Sequence, residues 1–182
     1  MEKIGKSSYI ILYALLMSHF GWAFEMLFFY FCFGIIADRG FITLPLCPIY
    51  GITLVVIYYL IGTPRKGGVL LSRIKCTGWR TLVYFTIATL IPTLAELFAG
   101  ETMEKISGRV LWDYSEMTFN FGRYISLESS LTWGILIMFV MLWYDLIFNL
   151  LLRIPTSVAR RISSVFIFAV TVDFSVNLFL LS

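Results

Sequence analysis

The sequence predicts an all-α protein, a polytopic transmembrane helical bundle of about five spans with a structured extracytoplasmic loop. Three observations predict it. Of 182 residues, 59% are hydrophobic and only 14% are charged, where a soluble domain carries about 25% charged residues. Mean hydropathy is +0.87. Apolar runs near the ~20 residues needed to cross a bilayer recur along the chain. The length suits one compact membrane domain, residues 1–182.

Five apolar segments are the candidate spans: residues 8–36, 46–62, 80–99, 129–151 and 162–181. Lys3 and Lys6 precede the first, as in a signal peptide, but the run is too long and lacks a small-residue cleavage site. A retained helix is therefore expected. At ~1.5 Å per residue this helix outruns a hydrocarbon core of ~30 Å, so it must tilt or protrude. Pro48 suits the first turn of the second helix, and Gly62, Thr63 and Pro64 stop it. Being short and interrupted by Pro45 and Pro48, the second span can also enter as a re-entrant piece. Gly100 is expected to end the third.

Cations set the orientation. With five spans, one side carries Lys3, Lys6, Arg65, Lys66, Arg73, Lys75, Arg80, Arg153, Arg160 and Arg161, ten of the fourteen Lys and Arg. The other side has Arg39, Lys105, Arg109 and Arg123, together with Asp38, Glu101, Glu104, Asp113, Glu116 and Glu128. The expected orientation is a cytoplasmic N-terminus and an extracytoplasmic C-terminus in the cell membrane. Four or six spans would spoil this segregation. The net charge of +3 belongs to scattered loop residues, not to one basic domain, so no nucleic-acid partner is expected.

An ionisable residue within a span costs roughly 2.5–3.5 kcal/mol on insertion scales and needs a partner or a purpose. Glu25, Glu96, Asp145 and Asp173 are such residues. Ser18, Trp22, Glu25, Phe29 and Cys32 form one stripe of the first helix, and His19 points about 100° away from Ser18. Thr89, Pro92, Glu96 and Gly100 share a face of the third. There Pro92 releases the carbonyl of Ala88, giving either a cavity wall or a packing kink. Asp145 with Asn149, and Asp173 with Asn177, make polar strips suited to inter-helix hydrogen bonds. Arg153, Arg160 or Arg161 is a candidate partner for Asp145. Glu25 and Glu96 can share a proton or bind a cation or an amine, or be neutralised by Arg39 or Arg109.

Three dispersed cysteines, Cys32, Cys47 and Cys76, with no CxxC, and a single histidine argue against a disulfide framework and a metal site. No cofactor is expected. Residues 101–128 are too long for a simple connector. Residues 101–107 are expected to form a short helix that Gly108 terminates. In "LWDYSEMTFNFG", Leu111 to Gly122, Trp112 and Tyr114 are natural interface anchors. Extended backbone would project them to one face and Asp113 to the other.

Gly21-Trp22-x-x-Glu25, Asp38-Arg39-Gly40-Phe41 and Cys47-Pro48-Ile49-Tyr50-Gly51 follow in order. Glu96 with Gly100, Trp112-Asp113-Tyr114-Ser115 with Asn120 and Gly122, and Trp133-Gly134 complete the series. The series resembles the putative ABC-transporter type IV family, CmpB-like multi-pass membrane proteins, over about residues 15–150. Leu44-Pro45 departs from the expected Gly-Pro and puts the turn before Pro48 in question. The resemblance implies that Glu25, Arg39, Tyr50, Glu96, Trp112, Asp113, Tyr114 and Asn120 converge on one side of the membrane. They would form a ligand pocket, or a structural lid in which Asp113 pairs Arg39 or Arg109 and Asn120 ties down backbone.

A transport-associated permease or substrate-capturing subunit is the leading function, with a small amphipathic or cationic ligand. The chain has no GxxxxGK[ST] loop, so ATP-driven transport would need an ATPase subunit docked on the basic inner loops. One alternative is a membrane enzyme on a lipid-linked substrate, with Glu25, Glu96 or Asp113 as acid or base. No nucleophile–His–acid set supports that. The other is a non-catalytic assembly or sensing protein that contacts another membrane protein through its lid and lipid headgroups through its basic surface.

Overall fold

The apolar runs become helices in a computed structural model that describes residues 3–34, 41–68 and 70–181. Six helices and no strands occur among those residues: α1 Lys3–Phe33, α2 Pro48–Ile61, α3 Thr77–Ser107, α4 Leu127–Leu142, α5 Tyr144–Leu151 and α6 Thr156–Leu181. α1, α3 and α6 are long and apolar enough to cross a membrane. α4 and α5 together make a fourth candidate, broken by a 53° bend. α2, at 14 residues, is ~21 Å long, short of the ~30 Å core. The all-helical membrane fold is as expected.

The chain divides into two compact units, Met1–Ile52 with Leu146–Ser182, and Thr53–Asp145. In the first, α1 packs on α6. Tyr9, Leu12 and Ala159 form its buried centre, flanked by Phe148, Leu151, Ile154 and Ile162. The Tyr9 hydroxyl donates to the Ile154 carbonyl at 2.7 Å, and the Ser163 hydroxyl to the Ser8 carbonyl at 3.0 Å. The first satisfies a carbonyl in the break between α5 and α6, and the second ties α6 to the backbone of α1.

In the second unit α3 packs on α4. α3 buries Tyr84, Ala88, Pro92, Thr93, Glu96, Gly100 and Met103, and α4 buries Ser130, Trp133, Gly134, Ile137 and Met141. Small residues let the helices approach. A Cβ on Gly134 would sit 2.2 Å from Thr89 Oγ1, and the Thr93 hydroxyl donates to Ser130 Oγ at 2.8 Å. α2 ends at Gly62, whose positive φ of 73° closes the helix. A Cβ there would meet Gly67 and Gly68 backbone at 2.5–2.6 Å.

Three expectations need correction. Gly100 does not end the third helix: α3 runs on to Ser107, and residues 101–107 are its last turns, not a separate helix. Gly100 is glycine because the Tyr124 ring lies on it, 2.5 Å from where a Cβ would be. Gly108 is the terminator, at φ 67°, donating to the Glu104 carbonyl. The third helix continues through the fully buried Pro92, and α4 and α5 break at Trp143. There the amide turns back to the Val140 carbonyl at 3.0 Å. Directly after the break Tyr144 is buried and stacks on Tyr58, ring centroids 4.2 Å apart. Asp145 is met by Lys66 Nζ at 2.9 Å, not by the arginines of 153–161. The Lys66 loop folds back to the start of α5.

Candidate functional site

Residues 109–126 of the second unit fold into a lid held by its own hydrogen bonds. The Ser115 amide donates to Asp113 Oδ1 at 2.8 Å, an Asx turn that reverses the chain. Asn120 Nδ2 donates to the Ser115 carbonyl at 3.0 Å and the Met117 carbonyl at 2.8 Å, so Asn120 does tie down loop backbone. A hairpin follows: Asn120 bridges Ser126, Phe121 N–H donates to the Ile125 carbonyl, and Leu127 N–H to the Phe119 carbonyl. The Tyr114 amide donates to the Arg123 carbonyl at 2.7 Å, laying the two lid limbs side by side. Ser126 then caps α4 by accepting from the Ser129 amide.

The lid is latched to Glu96, which is 6% exposed on a membrane-spanning helix. Tyr114 donates its hydroxyl to Glu96 Oε1 at 3.0 Å, and Ser129 Oγ lies 3.4 Å from Oε2 and 3.2 Å from the Tyr114 oxygen. Bonds of this kind offset the cost of burying a carboxyl group. Arg123 of the lid is engaged elsewhere. Arg123 bridges Glu104 and Asp113, its Nε lying 3.2 Å from Asp113 Oδ2, and Tyr124 donates to Glu104 Oε2 at 2.6 Å.

Hydrogen bonds from Ser115, and then the Arg123 charge, hold the Asp113 carboxyl below its ordinary value. Arg123 is held above its own by its bond with Tyr124 and by Glu104 and Asp113. Burial, then the bond to Glu104, pushes the Tyr124 phenol up. Trp112 packs edge-on against Tyr124, with centroids 6.2 Å apart. Its Nε1–H is buried with no hydrogen-bond partner among the described residues, as is Glu128 Oε2. Beside this network Leu97, Glu101, Glu104, Lys105 and residues 121–124 line a cleft of about 410 Å³.

The first unit carries a second tyrosine–glutamate contact. Tyr50 donates to Glu25 Oε1 at 2.8 Å, and its ring lies over Gly21, where a Cβ would come within 2.2 Å of it. Gly51 is as tight against α1: its Cβ would lie 2.0 Å from the Ala14 carbonyl oxygen. The Cys47 amide donates to the Ser18 carbonyl at 3.0 Å. His19 stacks on Trp22 and donates Nδ1–H to the Pro45 carbonyl at 2.9 Å. At the divergent Leu44-Pro45 step, Asp173 holds the turn, accepting from the Leu44 amide at 3.0 Å, from Thr43 and from Asn177.

The sequence-predicted residues thus fall into two groups. Glu25 and Tyr50 meet in the first unit; Glu96 and Tyr114 meet in the second, with Trp112, Asp113 and Asn120 on the same lid. Arg39 and Asp38 lie outside the described residues. Among the described residues Asp113 pairs with Arg123, not with Arg109. Trp112 packs against Tyr124, and Asp113 meets Arg123. Arg123, Tyr124, Glu104 and Ser129 were not singled out from sequence. Only Ser126, three residues before Ser129 at the start of an apolar run, carried a readable signal, that of a helix cap.

No curated protein and no solved structure matches the chain. The family model described as putative ABC-transporter type IV matches residues 12–178, extending past the motif series into α6. Within the matched residues Gly21 and Glu25 lie under Tyr50, and Glu96 and Gly100 under the lid. This membrane protein therefore belongs to the putative ABC-transporter type IV family.

Proposed function

We propose that the chain is a substrate-capturing or permease subunit of a transport system, taking a small amphipathic or cationic ligand at a polar pocket under its lid. The observation that carries this reading is Glu96: a buried carboxyl group on a membrane span, latched by the hydroxyls of Tyr114 and Ser129. A hydroxyl latch breaks at less cost than a buried ion pair, so an ammonium group can replace it. The buried Trp112 Nε1–H and Glu128 Oε2 offer a donor and an acceptor to a ligand's polar atoms. Cation placement supports an extracytoplasmic lid on a protein of the cell membrane, with an ATPase docked on the basic cytoplasmic loops.

Native mass spectrometry of the gently purified protein tests both halves together. A bound small molecule and a copurifying ATPase are expected, and a clean apo monomer would count against pocket and permease alike. A purely structural clasp is favoured by one observation, that Asp113, Tyr114 and Asn120 all find partners within the second unit. Asp113→Asn separates the two. Loss of ligand with folding intact supports the pocket; loss of folding supports the clasp.

A further inference from the structure

We infer that the lid ends in a membrane-seated foot, Phe119 and Phe121, that inserts into the lipid interface beside α3. The inference is independent of the ligand reading. Phe119 and Phe121 flank Asn120, whose side chain is tied inward to the Ser115 and Met117 carbonyls. Alternation along extended backbone therefore sends both rings to the opposite face. They are 59% and 70% exposed, a costly display for a loop in water.

The level of the foot is fixed by what it touches. The Phe119 amide donates to Glu128 Oε1 at 3.3 Å and its carbonyl accepts from the Leu127 amide, so Phe119 stands at the first turn of α4. Phe121 shares a cleft wall with Leu97, within the apolar length of α3 and one residue from Phe98, which is 74% exposed. The foot is thus continuous with the lipid-facing surface of a membrane-spanning helix. Lys105 and Arg123 line the same cleft, each in an ion pair, and a foot seated in lipid brings both to the depth of the headgroup phosphates. Aromatic rings at that depth are the usual interface anchors. Trp112 and Tyr114, the obvious anchors by composition, are instead turned inward onto Tyr124 and Glu96.

The test is spin-label accessibility in vesicles of phosphatidylethanolamine and phosphatidylglycerol, in a Cys32→Ala, Cys47→Ala, Cys76→Ala background. Labels at Phe119→Cys and Phe121→Cys replace exposed side chains and leave the core untouched. Phe98→Cys sets the lipid end of the scale and Glu116→Cys the water end. Oxygen access relative to a water-soluble nickel chelate should be several-fold higher at 119 and 121 than at 116, approaching the value at 98. Nickel-dominated access at either position overturns the foot, because the rings then face water. Low access to both reagents also overturns it, because a protein partner or a second copy then covers them.

Discussion

Glu25 and Glu96 present the same physical problem, a carboxyl group within a membrane-spanning helix, and the two units solve it differently. In the first unit the tyrosine hydroxyl comes from a helix: Tyr50 is in the first turn of α2, clamped to α1 by Gly21 and Gly51. In the second it comes from an irregular lid, and Tyr114 is held by loop hydrogen bonds and the Asp113–Arg123–Glu104 relay. A helix clamp cannot let go without disturbing helix packing. A lid can. The second contact is therefore the releasable one, and the first the one suited to hold the fold.

The glycines should expose this contrast most strongly. At Gly51 an added Cβ strikes the Ala14 carbonyl oxygen, backbone that no side-chain rotation relieves. Gly51→Ala should cost roughly 3 kcal/mol or more, near the top of overpacking effects, seen as an early melt of the purified protein. At Gly100 the added Cβ strikes the buried Tyr124 ring, which can yield only by moving with the lid. Gly100→Ala should cost about 1 kcal/mol and loosen the lid while the helices stay folded. Equal losses of helix stability in the two variants would break the comparison.

Removing single hydroxyls should give a smaller effect of the same kind. Tyr50→Phe and Tyr114→Phe each delete a bond of about 1–2 kcal/mol. Hydrogen exchange should locate the loss: within α1 and α2 for Tyr50→Phe, confined to about residues 110–126 for Tyr114→Phe. Exchange that rises across α3 and α4 in the second variant would make the lid part of the core.

The helices and the chemistry of the lid were legible where a single residue decides locally. Apolar run length gave the spans, Pro48 the start of α2, and Gly108 the end of α3. Asn120 could be read as a backbone tether because its amide reaches neighbours three and five residues away. What depends on contacts remote in sequence was not legible. Gly100 looked like a terminator because its reason for being glycine, the Tyr124 ring, is 24 residues distant. The bend at Trp143 has no proline to announce it. Lys66 and Arg123 were cations among several long side chains, and only the folded loops choose which carboxylate each one meets.

The relay in the lid also gives it a pH response. Asp113 sits below its ordinary value of 3.8 in the folded lid. Its stabilising contribution is therefore complete above that value and lost as pH falls through the lowered one. Mobility of a spin label at Glu116→Cys should rise on acidification below about pH 4, and Asp113→Asn should abolish the transition. An unchanged transition in Asp113→Asn would assign it to another carboxylate.

The smallest effect is expected where a charge pair stands alone. Lys66 and Asp145 lie 2.9 Å apart, but their side chains are 70% and 43% exposed, with no third charge to hold them. Exposed pairs of this type contribute about 0–1 kcal/mol, so Lys66→Ala should shift the melt by little more than measurement error. Arg123→Ala removes the cation that ties the lid's Asp113 to Glu104 of α3, and it should free the lid label visibly without lowering helix stability. If Lys66→Ala proves the more damaging, the 63–76 loop is a structural strut of the second unit. The distinction between a fixed frame and a releasable lid would then have to be drawn elsewhere.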